Sequence, residues 1–131
     1  MPAFNLDTDA QAIAAQLTQP EILLVACLCA QWCDACRAYQ TLFNALADTH
    51  QSMCFVWIDI ETHADQLDGI EIEDFPTLLI ENAYNTCFFG TVLPYATVVE
   101  RLLASLVSSN TATAAPKLRP LLTTHFSKTV L

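Results

Sequence analysis

Ile22-Leu23-Leu24-Val25-Ala26-Cys27-Leu28-Cys29, running straight into Ala30-Gln31-Trp32-Cys33-Asp34-Ala35-Cys36, decides how this chain is read. The first eight residues are apolar, uncharged and of strand length, as a fully buried strand requires. Beyond the motif, Cys36, Tyr39, Phe43 and Leu46 recur at helical spacing within residues 36–47. The Cys-x-x-Cys therefore falls where a buried strand turns into a helix. Unpaired N–H groups and the positive dipole end of a helix N-terminus favour a thiolate at Cys33. Cys36, one turn further in, lies within reach to close a disulfide.

The rest of the composition narrows the setting. The chain has 131 residues, 53% of them hydrophobic and 15% charged, which suits one folded domain with a real core. No stretch reaches the roughly 18 apolar residues of a membrane span. Residues 1–7 lack the basic and apolar regions of a signal peptide, so a reducing cytoplasm is the expected location. There a Cys-x-x-Cys is catalytic or metal-binding rather than a structural staple. Residues 1–107 hold 14 carboxylates against two arginines, a net −12, while residues 108–131 carry +3. An acidic body argues against nucleic acid and anionic membrane surfaces as partners. With no lysine before Lys117, it also excludes Schiff-base chemistry in the body.

In chain order, Phe4-Asn5-Leu6 reads as a short edge strand. Thr8-Asp9-Ala10-Gln11 has the form of a capping box, followed by an apolar helical face of Ala10, Ile13, Ala14 and Leu17 that ends at Gln19-Pro20. The strand over 21–29 and the long helix to about Thr49 follow. Residues 53–60 form a second apolar run, expected as a parallel neighbour of the first because a whole helix separates them. Thr62-x-x-Asp65 opens a short helical turn that Gly69 closes. Residues 75–81 read as a strand with Pro76 at its start, and Thr86–Phe89 as its hairpin partner. Pro94 suits the first position of a last helix carrying Val98, Val99, Leu102, Leu103 and Leu106 on its core face. From Ser108 the composition is that of a linker.

The expected order is β-α-β-α-β-α-β-β-α, an α/β arrangement with a central mixed sheet flanked by helices and the cysteine pair after the second strand. With Ala30-Gln31-Trp32-Cys33-Asp34-Ala35-Cys36 and Phe75-Pro76-Thr77-Leu78-Leu79-Ile80 at their separation, the chain resembles the thioredoxin family. The resemblance covers about residues 3–107 and implies a thioredoxin fold in 1–107, with 108–131 as linker and basic, apolar tail. It implies that Cys33 is the exposed nucleophile and Cys36 the resolving thiol. Pro76 is then a cis proline facing the disulfide. Trp32, Phe75, Pro76 and Asp74 would meet an extended substrate chain, and Gly90 matches a family glycine after the last strand. No cofactor and no metal are implied. The partners would be protein disulfides and an unidentified reductase.

The chain departs from this pattern in several places. A buried aspartate expected six residues before the first cysteine is Cys27, and its lysine partner is Trp57. That removes the carboxylate thought to accept a proton from the second cysteine. Asp-Ala replaces the usual Gly-Pro between the cysteines, and Glu73-Asp74 precede Phe75. Asp34, Glu73 and Asp74 near Cys33 would oppose the helix dipole, Asp34 acting as a pKa modulator, and the balance leans towards a reductant.

Three rival readings of the cysteines stand beside this one: free core thiols, a metal or iron–sulfur site on Cys27, Cys29, Cys33 and Cys36, and a second redox pair. For Cys27, Cys29, Cys54 and Cys87 the expected role is that of small buried hydrophobes. His50, His63 and His125 show no metal spacing and read as solvated. The favoured function is a thiol–disulfide oxidoreductase reducing protein disulfides. The alternative is a non-catalytic thioredoxin-fold binding module, an adaptor or assembly chaperone. Residues 117–131 are expected to dock through Leu121, Leu122 and Phe126 on an acidic surface, of their own domain, a second copy or a partner.

Overall fold

A computed structural model describes residues 3–30, 33–50, 52–62, 76–82, 86–91, 95–107 and residue 122. Its elements are β1 (Phe4–Asn5), α1 (Leu6–Leu17), β2 (Leu23–Cys29), α2 (Asp34–Thr49), β3 (Met53–Asp59), β4 (Thr77–Glu81), β5 (Thr86–Thr91) and α3 (Ala96–Val107). The strands form one mixed sheet in the order β1-β3-β2-β4-β5. β3 runs parallel to β1 and β2, and β4 runs antiparallel to both β2 and β5. The expected parallel β2–β3 unit and the β4–β5 hairpin are both present. The short helix expected from Thr62 to Gly69 and the Asn82–Asn85 turn lie largely outside the described residues.

β2 is the central strand, and its pleat divides the core. Leu24, Ala26 and Leu28 point to one side, where Ile13 and Leu17 of α1, Val56 and Ile58 of β3 and Leu79 of β4 cover them. Val25, Cys27 and Cys29 point to the other, against Cys36, Tyr39 and Phe43 of α2 and Val99 and Leu103 of α3. The buried face of α2 is Cys36, Tyr39, Phe43, Leu46 and Ala47, as its spacing predicts. On α3, Val99 and Leu103 are buried while Val98 and Leu102 are half-buried, so the covered stripe is narrower than expected.

Among the boundaries that differ from the sequence reading, two change the frame of the sheet and α1. α1 begins at Leu6, before the Thr8–Gln11 capping box, and is interrupted at Asp9, whose φ of −118° and ψ of 22° are not helical. The Asp9 carboxylate accepts the Asn5 N–H at 2.9 Å, so a charged acceptor ties β1 to the helix start. Gly90 lies inside β5, opposite Leu78, rather than after it.

Leu122 is fully buried in the cluster that packs α1 onto the sheet, among Leu6, Ile13, Leu17 and Leu24. Leu122, one of the three anchors expected, therefore sits in the apolar core of its own domain rather than on an acidic surface; Leu121 and Phe126 lie outside the described residues.

Candidate redox site

The strand-to-helix junction is built as the sequence implies. The Cys33 N–H donates to the Ala30 carbonyl at 3.0 Å, closing the turn out of β2, and the Cys33 carbonyl accepts the Arg37 N–H at 3.2 Å to begin α2. Cys33 is the N-cap residue with extended backbone (φ −86°, ψ 117°) and makes no side-chain capping bond. Its thiol is free and half-buried, whereas Cys36 is 1% exposed. One accessible and one buried sulfur thus stand at one helix terminus.

The disulfide is not the expected one. Cys36 is bonded to Cys29, across a Cα–Cα distance of 5.8 Å, and Cys33 is left as a thiol. The pleat explains it. Cys29 ends β2 on the side that α2 covers, and the first turn of α2 lays Cys36 over that strand end, at a separation ordinary for a disulfide. In the sequence, residues 22–29 read as one continuous buried run, with Cys29 as a small buried hydrophobe and a second redox pair as a rival reading. That reading places Cys29 in the core but does not name Cys36 as its partner. Cys27, Cys54 and Cys87 are buried and outside any disulfide, as expected of small buried hydrophobes.

The Cys27 sulfur lies 3.6 Å from that of Cys29. Burial pushes its thiol pKa well above the ordinary value of 9.0, so it stays protonated at neutral pH. Tyr39, one turn after Cys36, is also buried. Its hydroxyl has no hydrogen-bond partner among the described residues. Burial first, and the nearby Cys27 second, hold its pKa above the ordinary 10.0.

Cys27 and Trp57 stand opposite each other in the β2–β3 register, the positions read from the sequence as a replaced aspartate and lysine. Trp57 packs against Phe43 with ring centroids 5.8 Å apart, and Phe43 against Phe55 at 5.3 Å. An apolar, aromatic contact occupies the place of a charged pair.

One carboxylate does approach the site. Asp59 is the register partner of Cys29 and shares with Cys36, Arg37 and Trp57 the lining of a cleft of about 90 Å³. Its Oδ1 accepts the Glu61 N–H at 2.9 Å. Sequence reasoning passed over Asp59. The available signal was a single acidic residue closing an otherwise uncharged strand beside the cysteine motif.

Asp34 is largely exposed and forms an ion pair with Arg37 one turn on. Pro76 is buried at the entry to β4, while Trp32, Asp74 and Phe75 lie outside the described residues. His50, expected to be solvated, contacts Glu100 of α3 at 3.4 Å and stacks on Phe55. Among the described residues no group of three or more His, Cys, Asp or Glu side chains is placed to hold a metal ion. None of the described helices is long and apolar enough to cross a membrane.

A mixed sheet with a sulfur pair at the β2–α2 junction defines a thiol–disulfide protein of the α/β class. The Thioredoxin family pattern matches residues 5–89, and the chain belongs to that family. A curated relative, Thioredoxin-1 of Caenorhabditis elegans, is 28% identical over 60 residues, covering 46% of this chain and 52% of its own, so the match spans about half of that relative. Among solved structures, the poplar thioredoxin h PtTrxh4 superposes with a TM-score of 0.70 at 16% identity, covering 83% of this chain and 99% of the other. Thioredoxin NaTrxh from Nicotiana alata gives 0.64 at 19%, with coverage of 80% and 94%. Thioredoxin f from spinach chloroplast gives 0.61 at 18%, with 82% and 95%. At these identities the structural likeness establishes the fold.

Proposed function

We propose that the chain reduces protein disulfides, with Cys33 as the attacking thiolate and Cys36 as the resolving thiol. The observation that carries this reading is the pairing of a free, half-exposed Cys33 at the N-cap of α2 with a buried Cys36 three residues on. Cys33 attacks a substrate disulfide and forms a mixed disulfide. Cys36, once released from Cys29, displaces the substrate thiolate and closes the Cys33–Cys36 bond. Trp32, Asp74, Phe75 and Pro76 are the proposed contacts for an extended substrate segment, and an external reductase resets the pair. Asp59, on the cleft that Cys36 lines, is a carboxylate to which the Cys36 proton can pass through water, in place of the missing one at position 27. Thiols at Cys27 and Cys33 outside any disulfide suit a reducing compartment, and we place the protein in the cytoplasm.

The second reading is a binding module of the same fold in which the thiols are idle. It is favoured by the apolar register pair Cys27 and Trp57, with Trp57 packed on Phe43, where a charged pair would serve catalysis. Because Leu122 is seated in its own domain, docking of the tail within one chain is the better-supported role for it than self-association. Turbidity from insulin reduction with a dithiol donor separates the two readings. The reductase reading expects activity in wild type and loss with Cys33→Ser, plus a trapped mixed disulfide with Cys36→Ser. No activity in wild type above the donor alone would overturn it.

A further inference from the structure

The oxidised pair leaves a problem of access. Cys29 is 0% and Cys36 1% exposed, so no external thiol reaches either sulfur along the in-line path that exchange requires. Among the described residues, the accessible sulfur at this site is Cys33, packed against the same cluster as Cys29 and Cys36.

We propose that Cys29 is a third redox cysteine, and that Cys36 passes between Cys29 and Cys33 by internal thiol–disulfide exchange, with Cys33 as the gate to the buried bond. This rests on the reductase reading for its purpose. In the exchange, the Cys33 thiolate attacks Cys36 Sγ. The Cys33–Cys36 bond forms, the Cys29–Cys36 bond breaks, and Cys29 leaves as a thiolate. The proton lost from Cys33 to solvent is balanced by the one Cys29 takes up, and nothing is oxidised or reduced overall. An external dithiol then attacks the exposed Cys33 Sγ and its second thiol completes the reduction, so two electrons enter and three thiols remain.

The reverse step gives the pair a resting form. A Cys33–Cys36 disulfide made during turnover moves inward when the Cys29 thiolate attacks Cys36 and expels Cys33. The oxidised protein then still presents a nucleophile at its surface, with its resolving thiol tied up. Such a form captures a substrate disulfide and holds it, because Cys36 is unavailable to release it.

Two measurements on the full chain test this. The first treats oxidised protein with iodoacetamide under native conditions and locates the label by fragmentation mass spectrometry. Wild type is expected to take one label at Cys33 with Cys29–Cys36 intact, and Cys29→Ala to take none at Cys33. Wild type with Cys33 unlabelled and bonded to Cys36 would overturn the proposal. The second follows the rate at which dithiothreitol reduces Cys29–Cys36. Cys33→Ser and Cys33→Ala, both at a half-exposed site and checked for an unchanged thermal melt, are expected to slow it at least tenfold. Equal rates in wild type and both variants would show that the buried bond needs no gate. Insulin reduction by the same wild-type sample is scored separately: its failure alone removes the reductase reading and leaves the exchange standing.

Discussion

Cys27 on β2 and Trp57 on β3 face each other in register across the centre of the sheet, and an aromatic contact with Phe43 fills the space beside them. The site has been closed to charge on both strands together. Restoring one carboxylate with Cys27→Asp places an acid in a fully buried position with no cation opposite. We expect it to lower stability by about 3 kcal/mol or more without raising turnover, measured by chemical denaturation and insulin reduction. Faster turnover at an unchanged melting temperature would show that a proton acceptor was the missing part.

Alkaline stability follows from the same buried thiol. The folded pKa of Cys27 lies above the unfolded value of 9.0, so above that pH the unfolded chain has lost a proton that the native state retains. The contribution is fully present below pH 9 and falls away as pH rises, by about 1.4 kcal/mol per pH unit while the two states differ by one proton. Cys27→Val removes that term. Denaturation midpoints between pH 8 and 10.5 should fall less steeply in the variant than in wild type; parallel slopes would refute the assignment.

Tyr39 carries a cost of a different kind. Its hydroxyl is buried without a hydrogen-bond partner among the described residues, and such a group costs about 1–3 kcal/mol. Tyr39→Phe keeps the ring packed on Phe43 and removes the oxygen. The variant should be at least as stable as wild type, seen as an unchanged or higher melting temperature. A loss above 1 kcal/mol would mean that the hydroxyl is satisfied after all.

Leu122→Ala tests the tail. Truncating a fully buried leucine costs about 2–5 kcal/mol, and deleting residues 108–131 should cost no less. Both are expected to lower the melting temperature while the protein keeps the same mass in solution. Wild-type stability in both would remove Leu122 from the core.

Much of this architecture was legible because the pattern and the packing share a cause. The apolar run at residues 22–29 is buried on both faces, and the residues between Cys36 and Leu46 repeat with the period of the helix that covers it. The position of Cys33 at a helix start came from the same junction. The partner of Cys36 did not. Two thiols were within its reach, Cys33 through the helix turn and Cys29 on the strand end that α2 covers. Only the second is a tertiary contact, set by how far α2 slides along β2. Asp59 was missed for a related reason: its place beside Cys29 is a matter of strand register, which local sequence does not encode. Leu122 was one of three apolar candidates in the tail, and choosing among them required knowing the shape left open between α1 and the sheet.

The seat of Leu122 also fixes an order of events during translation. Every other fully buried member of its cluster, from Leu6 to Leu79, is joined to the chain before residue 122. At about 5–20 residues per second, several seconds of synthesis separate the two. Through that interval the nascent sheet and α1 carry an apolar gap at the place Leu122 will fill.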